Sequence, residues 1–162
     1  MKCVNISEQD QQTAKDTACL EILCPVPKMD YLQTVRDVVR MTAAYFGLDV
    51  EVWTEATSLK DNLAECEDNG AGVYTIYIDH DFLKEDDVDE LVRIVAHEMV
   101  HVKQFERNEL CLEYAGAATM NGVEYRGDYW FSPWEIEARG YQDAFLHHYN
   151  SGNAEKLLDK HY

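Results

Sequence analysis

His97-Glu98-Met99-Val100-His101 is the stretch that most constrains how this chain can fold. Residues four apart on an α-helix project from one face, about one turn apart along the axis. The two imidazoles can then take two corners of a single tetrahedral zinc site. A glutamate directly after the first histidine can reach a metal-bound water and take its proton. With 6 histidines in 162 residues, a shuffled chain produces this pattern only about 0.02 times, so chance is a poor explanation. The competing reading is an amphipathic helix carrying two solvated histidines. A metal reading demands more: the segment must be helical, and another element must bring at least one further ligand to it.

The flanking sequence supplies a helix. Asp86, Asp87 and Asp89 suit its N-terminus electrostatically. Leu91, Val92, Val95, Met99, Val102 and Phe105 give it a buried side as far as about Asn108. Upstream, Leu32, Val35, Val38, Val39, Met41, Ala43 and Phe46 recur at helical spacing from Met29, and Gly47 is a stop signal. Short strands are expected at Leu48–Thr54 and, more clearly, at Val73–Ile78, with a turn or loop at 68–72. After the motif, Leu110–Tyr129 reads as a hairpin around Asn121-Gly122, a type I′ turn signal. Ser132-Pro133 then opens a last helix with an apolar stripe of Ala138, Tyr141, Ala144, Phe145 and Tyr149. The expected fold class is therefore α+β: a small mixed sheet packed on the histidine helix, then a hairpin and a C-terminal helix that bears a ligand. Length predicts one domain over residues 1–162, with 1–28 as an N-terminal extension or strand closed by Cys24-Pro25-Val26-Pro27.

Charge and cysteine usage narrow the function. A formal charge of −17 argues against a nucleic-acid partner, because phosphate neutralisation needs clustered Lys and Arg. Such acidity first serves solubility; where it selects a substrate, that substrate is basic. Five cysteines, an odd number without a C-x-x-C pair, fit reduced thiols in the cytoplasm better than a disulfide framework. Neither a signal peptide nor a membrane span is expected.

Catalytic zinc usually has three protein ligands and one open position. A third histidine at the short spacing is ruled out, since Gln104 and Arg107 stand where glycine and histidine would be required. Cys111 reads better as a buried thiol. The remaining candidates are Glu135 and Glu137 on the last helix. Ser132-x-x-Glu135 is also a capping box, in which Glu135 would turn back to the Ser132 amide and leave the ligand role to Glu137.

Here the chain resembles the gluzincin zinc metallopeptidases, several of which carry the third glutamate in a Glu-x-x-Ala arrangement on a downstream helix. Glu135-Ile136-Glu137-Ala138 matches that arrangement. The longer Pro133-Trp134-Glu135-Ile136-Glu137-Ala138 is similar to small metallopeptidases of phage and bacterial genomes. The resemblance spans roughly residues 73–150 and favours Glu135 as the third ligand. It implies one Zn²⁺ held by His97, His101 and Glu135, with Glu98 as the general base that activates water for peptide-bond hydrolysis. It also implies that Val73–Ile78, if it lies at a sheet edge, aligns an extended peptide or protein substrate. One departure stands out. Arg139 occupies the place where many gluzincins have an acidic residue that supports a zinc histidine, so another carboxylate or a backbone carbonyl has to hold the imidazole tautomer.

Tyr125, Tyr129, Tyr141, His147 and His148 are the available groups for stabilising an oxyanion. The alternative function is a non-catalytic, zinc-stapled interaction protein or pseudoenzyme of a phage or mobile element, which would need the ligands but not Glu98. Peptide deformylase shares H-E-x-x-H, but its upstream cysteine and glycine motifs are missing around Cys66.

Overall fold

The computed structural model describes residues 31–112 and 117–152, together with the backbone of a short strand at 20–21. The expectations for the rest of the N-terminal extension and for residues 29–30 lie outside the described residues. The architecture is mixed α+β, as the periodicities predict. In chain order it comprises β1 (Leu20–Glu21), α1 (Tyr31–Phe46), β2 (Glu51–Thr57), β3 (Ala64–Asp68), β4 (Val73–Asp79), α2 (Val88–Glu106), β5 (Leu110–Leu112), β6 (Ala118–Met120), β7 (Val123–Tyr125) and α3 (Pro133–Asn150). No described helix is long and apolar enough to cross a membrane.

The first sheet has the order β1-β2-β4-β3, with β1, β2 and β4 parallel and β3 antiparallel to β4. Alternation decides which face packs. Val52 and Thr54 of β2, and Tyr74, Ile76 and Ile78 of β4, are buried, whereas Glu51, Trp53 and Glu55 are exposed. The buried face meets Val35, Val38 and Val39 of α1 and Leu91, Val92, Val95 and Met99 of α2 in one apolar core. α2 is the hub, packing against α1, α3 and β3. Fully buried Ala138 on α3 belongs to the same core.

Local signals account for the element ends. Gly47, at φ +66°, closes α1: its amide bonds to Ala44 O and the Leu48 amide to Ala43 O, the paired pattern of a Schellman cap. Asp87 caps α2 by accepting from the Glu90 amide at 3.0 Å. Asn121 and Gly122, both at positive φ, join β6 to β7 as the type I′ signal requires. The expected hairpin gains a further strand, since β5 pairs with β6 to give a three-stranded sheet.

Two expectations need correction. β3 is absent from the sequence reading because Ala-Glu-Cys-Glu-Asp has neither β-branched residues nor an apolar alternation. Its strand conformation comes from pairing with β4, in register from Ala64↔Ile78 to Asp68↔Tyr74. Consequently β4 is an inner strand, and β3 is the outer one beside α2. A substrate strand aligned on this sheet would meet β3, not Val73–Ile78.

Asp79 ties the end of β4 to the following turn. Its carboxylate accepts from the amides of Leu59, Asp81 and Phe82, each at 2.9 Å. The Phe82 and Leu59 amides foremost hold its pKa below the usual carboxylate range. A carboxylate whose folded pKa is depressed contributes stability above its unfolded pKa of about 3.9 and loses it as pH falls through the folded value. Asp79→Ala is therefore expected to destabilise the fold by about 2 kcal/mol at pH 7. Urea titrations should show the gap to wild type closing below about pH 4.

Candidate metal centre

The helix α2 places His97 and His101 one turn apart, and α3 brings Glu135 to the same point. One ligand atom from each lies within 4.8 Å of the others, so the three residues could hold a metal ion. The two Nε2 atoms are 3.2 Å apart. Glu135 Oε2 is 3.3 Å from His97 Nε2, and its Oε1 is 3.3 Å from His101 Nε2. All three side chains are largely withdrawn from solvent, and Glu135 is buried.

The donor chemistry fits a cation. His97 Nδ1 faces the side-chain oxygen of Gln142 at 3.1 Å, and His101 Nδ1 faces that of Gln104 at 2.8 Å. With those amide oxygens as acceptors, each Nδ1 carries the hydrogen, and in a neutral ring Nε2 then presents a lone pair. Two lone pairs and a carboxylate converge, an arrangement that is repulsive unless a positive charge sits among them. Either a proton or a metal ion can supply that charge. Burial opposes it on His101, but the hydrogen bond to Glu135 and the charge of Glu98 prevail and raise the His101 pKa. Burial likewise opposes ionisation of Glu135, yet the hydrogen bonds from His101, His97 and Tyr129 hold its carboxyl well below the usual range. A proton and a metal ion would thus compete for one place.

Of the rival ligands, Glu135 is in the cluster and Glu137 is not. Glu137 Oε1 is 2.6 Å from Lys103 Nζ, and its Oε2 accepts from Gln104 Nε2 at 2.8 Å. The capping box does not form. Ser132 is the N-cap residue, but its side chain makes no cap hydrogen bond, and Glu135 turns toward the histidines instead. Cys111 stands outside the cluster and is exposed, which corrects the buried-thiol reading. The supporting groups differ in kind from those expected: two side-chain amides, not a carboxylate or a backbone carbonyl, face the imidazoles. Gln104 sits three residues after His101 and Gln142 seven after Glu135, both helical same-face spacings. That spacing was the available signal, and it went unused because amide side chains carry no metal-ligand pattern.

Arg139 contacts Glu135 and not the imidazoles. Its NH1 lies 3.6 Å from Glu135 Oε2, its NH2 donates to the Trp130 carbonyl, and its guanidinium stacks 4.4 Å above the Trp130 ring. It therefore balances the charge of Glu135 and supports no histidine. Among the five oxyanion candidates, Tyr129 reaches the cluster, donating to Glu135 Oε1 at 2.5 Å. Burial, then this bond, push its hydroxyl pKa up. Tyr125 donates instead to the Asp128 carbonyl, and Tyr141 stacks on Phe145. His147 and His148 lie in the last turn of α3, beside each other.

Glu98 is buried on α2 next to His97 and belongs to none of the ligand contacts. Burial pushes its pKa up, while the nearby charges of His101 and His97 pull it back. On the β3 side, a cleft of about 760 Å³ opens between β3 and β5, lined by Glu65, Cys66, Glu67, Phe105, Leu110 and Cys111, among others. Its lining includes none of the three ligand residues. Cys66 is part of that lining, and burial, then the charge of Glu98, raise its thiol pKa.

In comparisons with known proteins, no family model matches the chain, and no curated protein or solved structure is detectably similar to it.

Proposed function

We propose that this protein is a zinc-dependent metallopeptidase with a zincin-like fold of the gluzincin type. In this reading His97, His101 and Glu135 hold one Zn²⁺, and Glu98 is the general base. The observation that carries it is the convergence of the two imidazole Nε2 atoms and a carboxylate, with a second carboxylate, outside that cluster, buried beside them. Bound there, zinc would lower the pKa of water to about 7 and polarise a carbonyl. Glu98 takes the proton of the attacking water and delivers it to the leaving amine. Its burial favours that return, since a carboxylate in an apolar setting holds a proton more readily than one in water. An extended peptide would lie along β3, whose outer position leaves backbone groups for pairing. Glu65, Glu67 and Asp68 on that strand favour a basic substrate. The cysteine pattern suits a reducing cytoplasm.

The same three ligands join α2 to α3, so the alternative is a zinc staple without catalysis. Purified protein is expected to carry one zinc per chain by elemental analysis and to cleave members of a peptide library. Cleavage should stop with a zinc chelator and return with added zinc. Zinc without cleavage would favour the staple; protein that takes up no zinc would overturn both readings.

A further inference from the structure

We propose that Lys103, Glu137 and Gln104 form a positioning chain that holds His101 as the Nδ1–H tautomer and so presents its Nε2 to the metal. The inference rests on the reading of the cluster as a metal centre, and it starts from the orientation of one buried amide. Gln104 is fully buried. Its nitrogen donates to the Trp134 carbonyl at 3.1 Å and to Glu137 Oε2 at 2.8 Å. Both partners only accept, so reversing the amide would set oxygen against oxygen twice. The amide oxygen is therefore committed to His101 Nδ1, at 2.8 Å, and an oxygen there requires a hydrogen on the nitrogen.

Glu137 is itself held. Lys103 Nζ lies 2.6 Å from Glu137 Oε1 and 2.5 Å from Glu109 Oε2, with the lysine only 5% exposed. An ammonium this deep requires compensating carboxylates. Carboxylate oxygens of Glu109 and Glu137 supply that compensation from two sides. The hydrogen-bonded order is then ammonium, carboxylate, amide, imidazole, each link leaving one orientation for the next. Every link is packed between α2 and α3, so docking of the two helices also sets the ring nitrogen that faces the site. Among the described residues His97 has no such chain; its Nδ1 meets half-buried Gln142 alone. In this role Gln104 stands where a supporting carboxylate would otherwise serve, and it brings no negative charge to the ligand.

The test uses the full chain and two variants, Gln104→Leu, close in shape but unable to hydrogen-bond, and Glu137→Gln, which keeps the volume and loses the charge. Zinc affinity by competition with a chromogenic chelator should fall about 10- to 100-fold in Gln104→Leu, and by a smaller factor in Glu137→Gln. Long-range proton–nitrogen spectra of the metal-free protein at alkaline pH should show His101 as Nδ1–H in wild type. Gln104→Leu should shift it toward Nε2–H. A merely structural role would not move that tautomer while the melting profile stays cooperative. If Gln104→Leu fails to fold, Glu137→Gln and the wild-type tautomer decide. Wild-type zinc binding with unchanged affinity and tautomer in the folded variants overturns the positioning chain and leaves the metal centre intact. Wild type that binds no zinc overturns the metal centre, and an Nε2–H His101 in wild type overturns the chain by itself.

Discussion

If the proposed mechanism holds, Glu98→Gln is expected to slow peptide hydrolysis by about 100- to 10,000-fold, the usual contribution of a positioned general base, without loss of bound zinc. Glutamine has the same shape but no basic oxygen, and Glu98 is outside the ligand cluster. Metal content by elemental analysis should therefore stay at the wild-type level. A second consequence follows from burial. Glu98 is 7% exposed, and burial pushes its pKa up, so the fold bears a cost for keeping the carboxylate charged there. The variant should melt no lower than wild type, and higher if the cost is large. Loss of activity with gained or equal stability separates a catalytic base from a structural carboxylate. Peptide cleavage at a wild-type rate in Glu98→Gln would refute the assignment.

Glu135→Ala should remove zinc binding to a greater extent than any outer partner, well beyond the 10- to 100-fold typical of those. In the proposed centre it takes away one of three protein ligands. It also leaves Arg139 NH1, a buried atom with no hydrogen-bond partner, without the carboxylate 3.6 Å away. The guanidinium then keeps its Trp130 contacts but loses its counter-charge beside the site, which further disfavours a divalent ion. Equilibrium dialysis against zinc measures the change. The matched control is Glu137→Ala, which disturbs Lys103 and Gln104 but deletes no ligand, so its loss should stay within the range of an outer partner. A reversed order, with Glu137→Ala the more damaging, would return the ligand role to Glu137.

Much of the molecule is legible along the chain because its signals are local. The apolar spacing from Leu91 to Phe105, the Asp87 cap and the Gly47 stop each act within one or two helical turns. The Asn121-Gly122 turn needs only its own backbone dihedrals. β3 escaped notice for the opposite reason. Its acidic residues have little strand preference, and the conformation follows from β4 lying alongside, a partner that local sequence does not announce.

Sequence alone determined that His97, Glu98 and His101 share a helix, that an acidic helix follows a turn-rich hairpin, and that one of two glutamates could complete a ligand set. Tertiary structure decided between them. Residues two apart on a helix point about 200° apart, so the rotation of α3 against α2 chooses one and discards the other. That rotation is set where Ala138, Phe145 and Leu146 bury themselves in the core, and it sends Glu135 to the imidazoles and Glu137 to Lys103. The supporting amides of Gln104 and Gln142 emerge from the same docking, because a hydrogen bond between helices exists only once both faces are fixed in space.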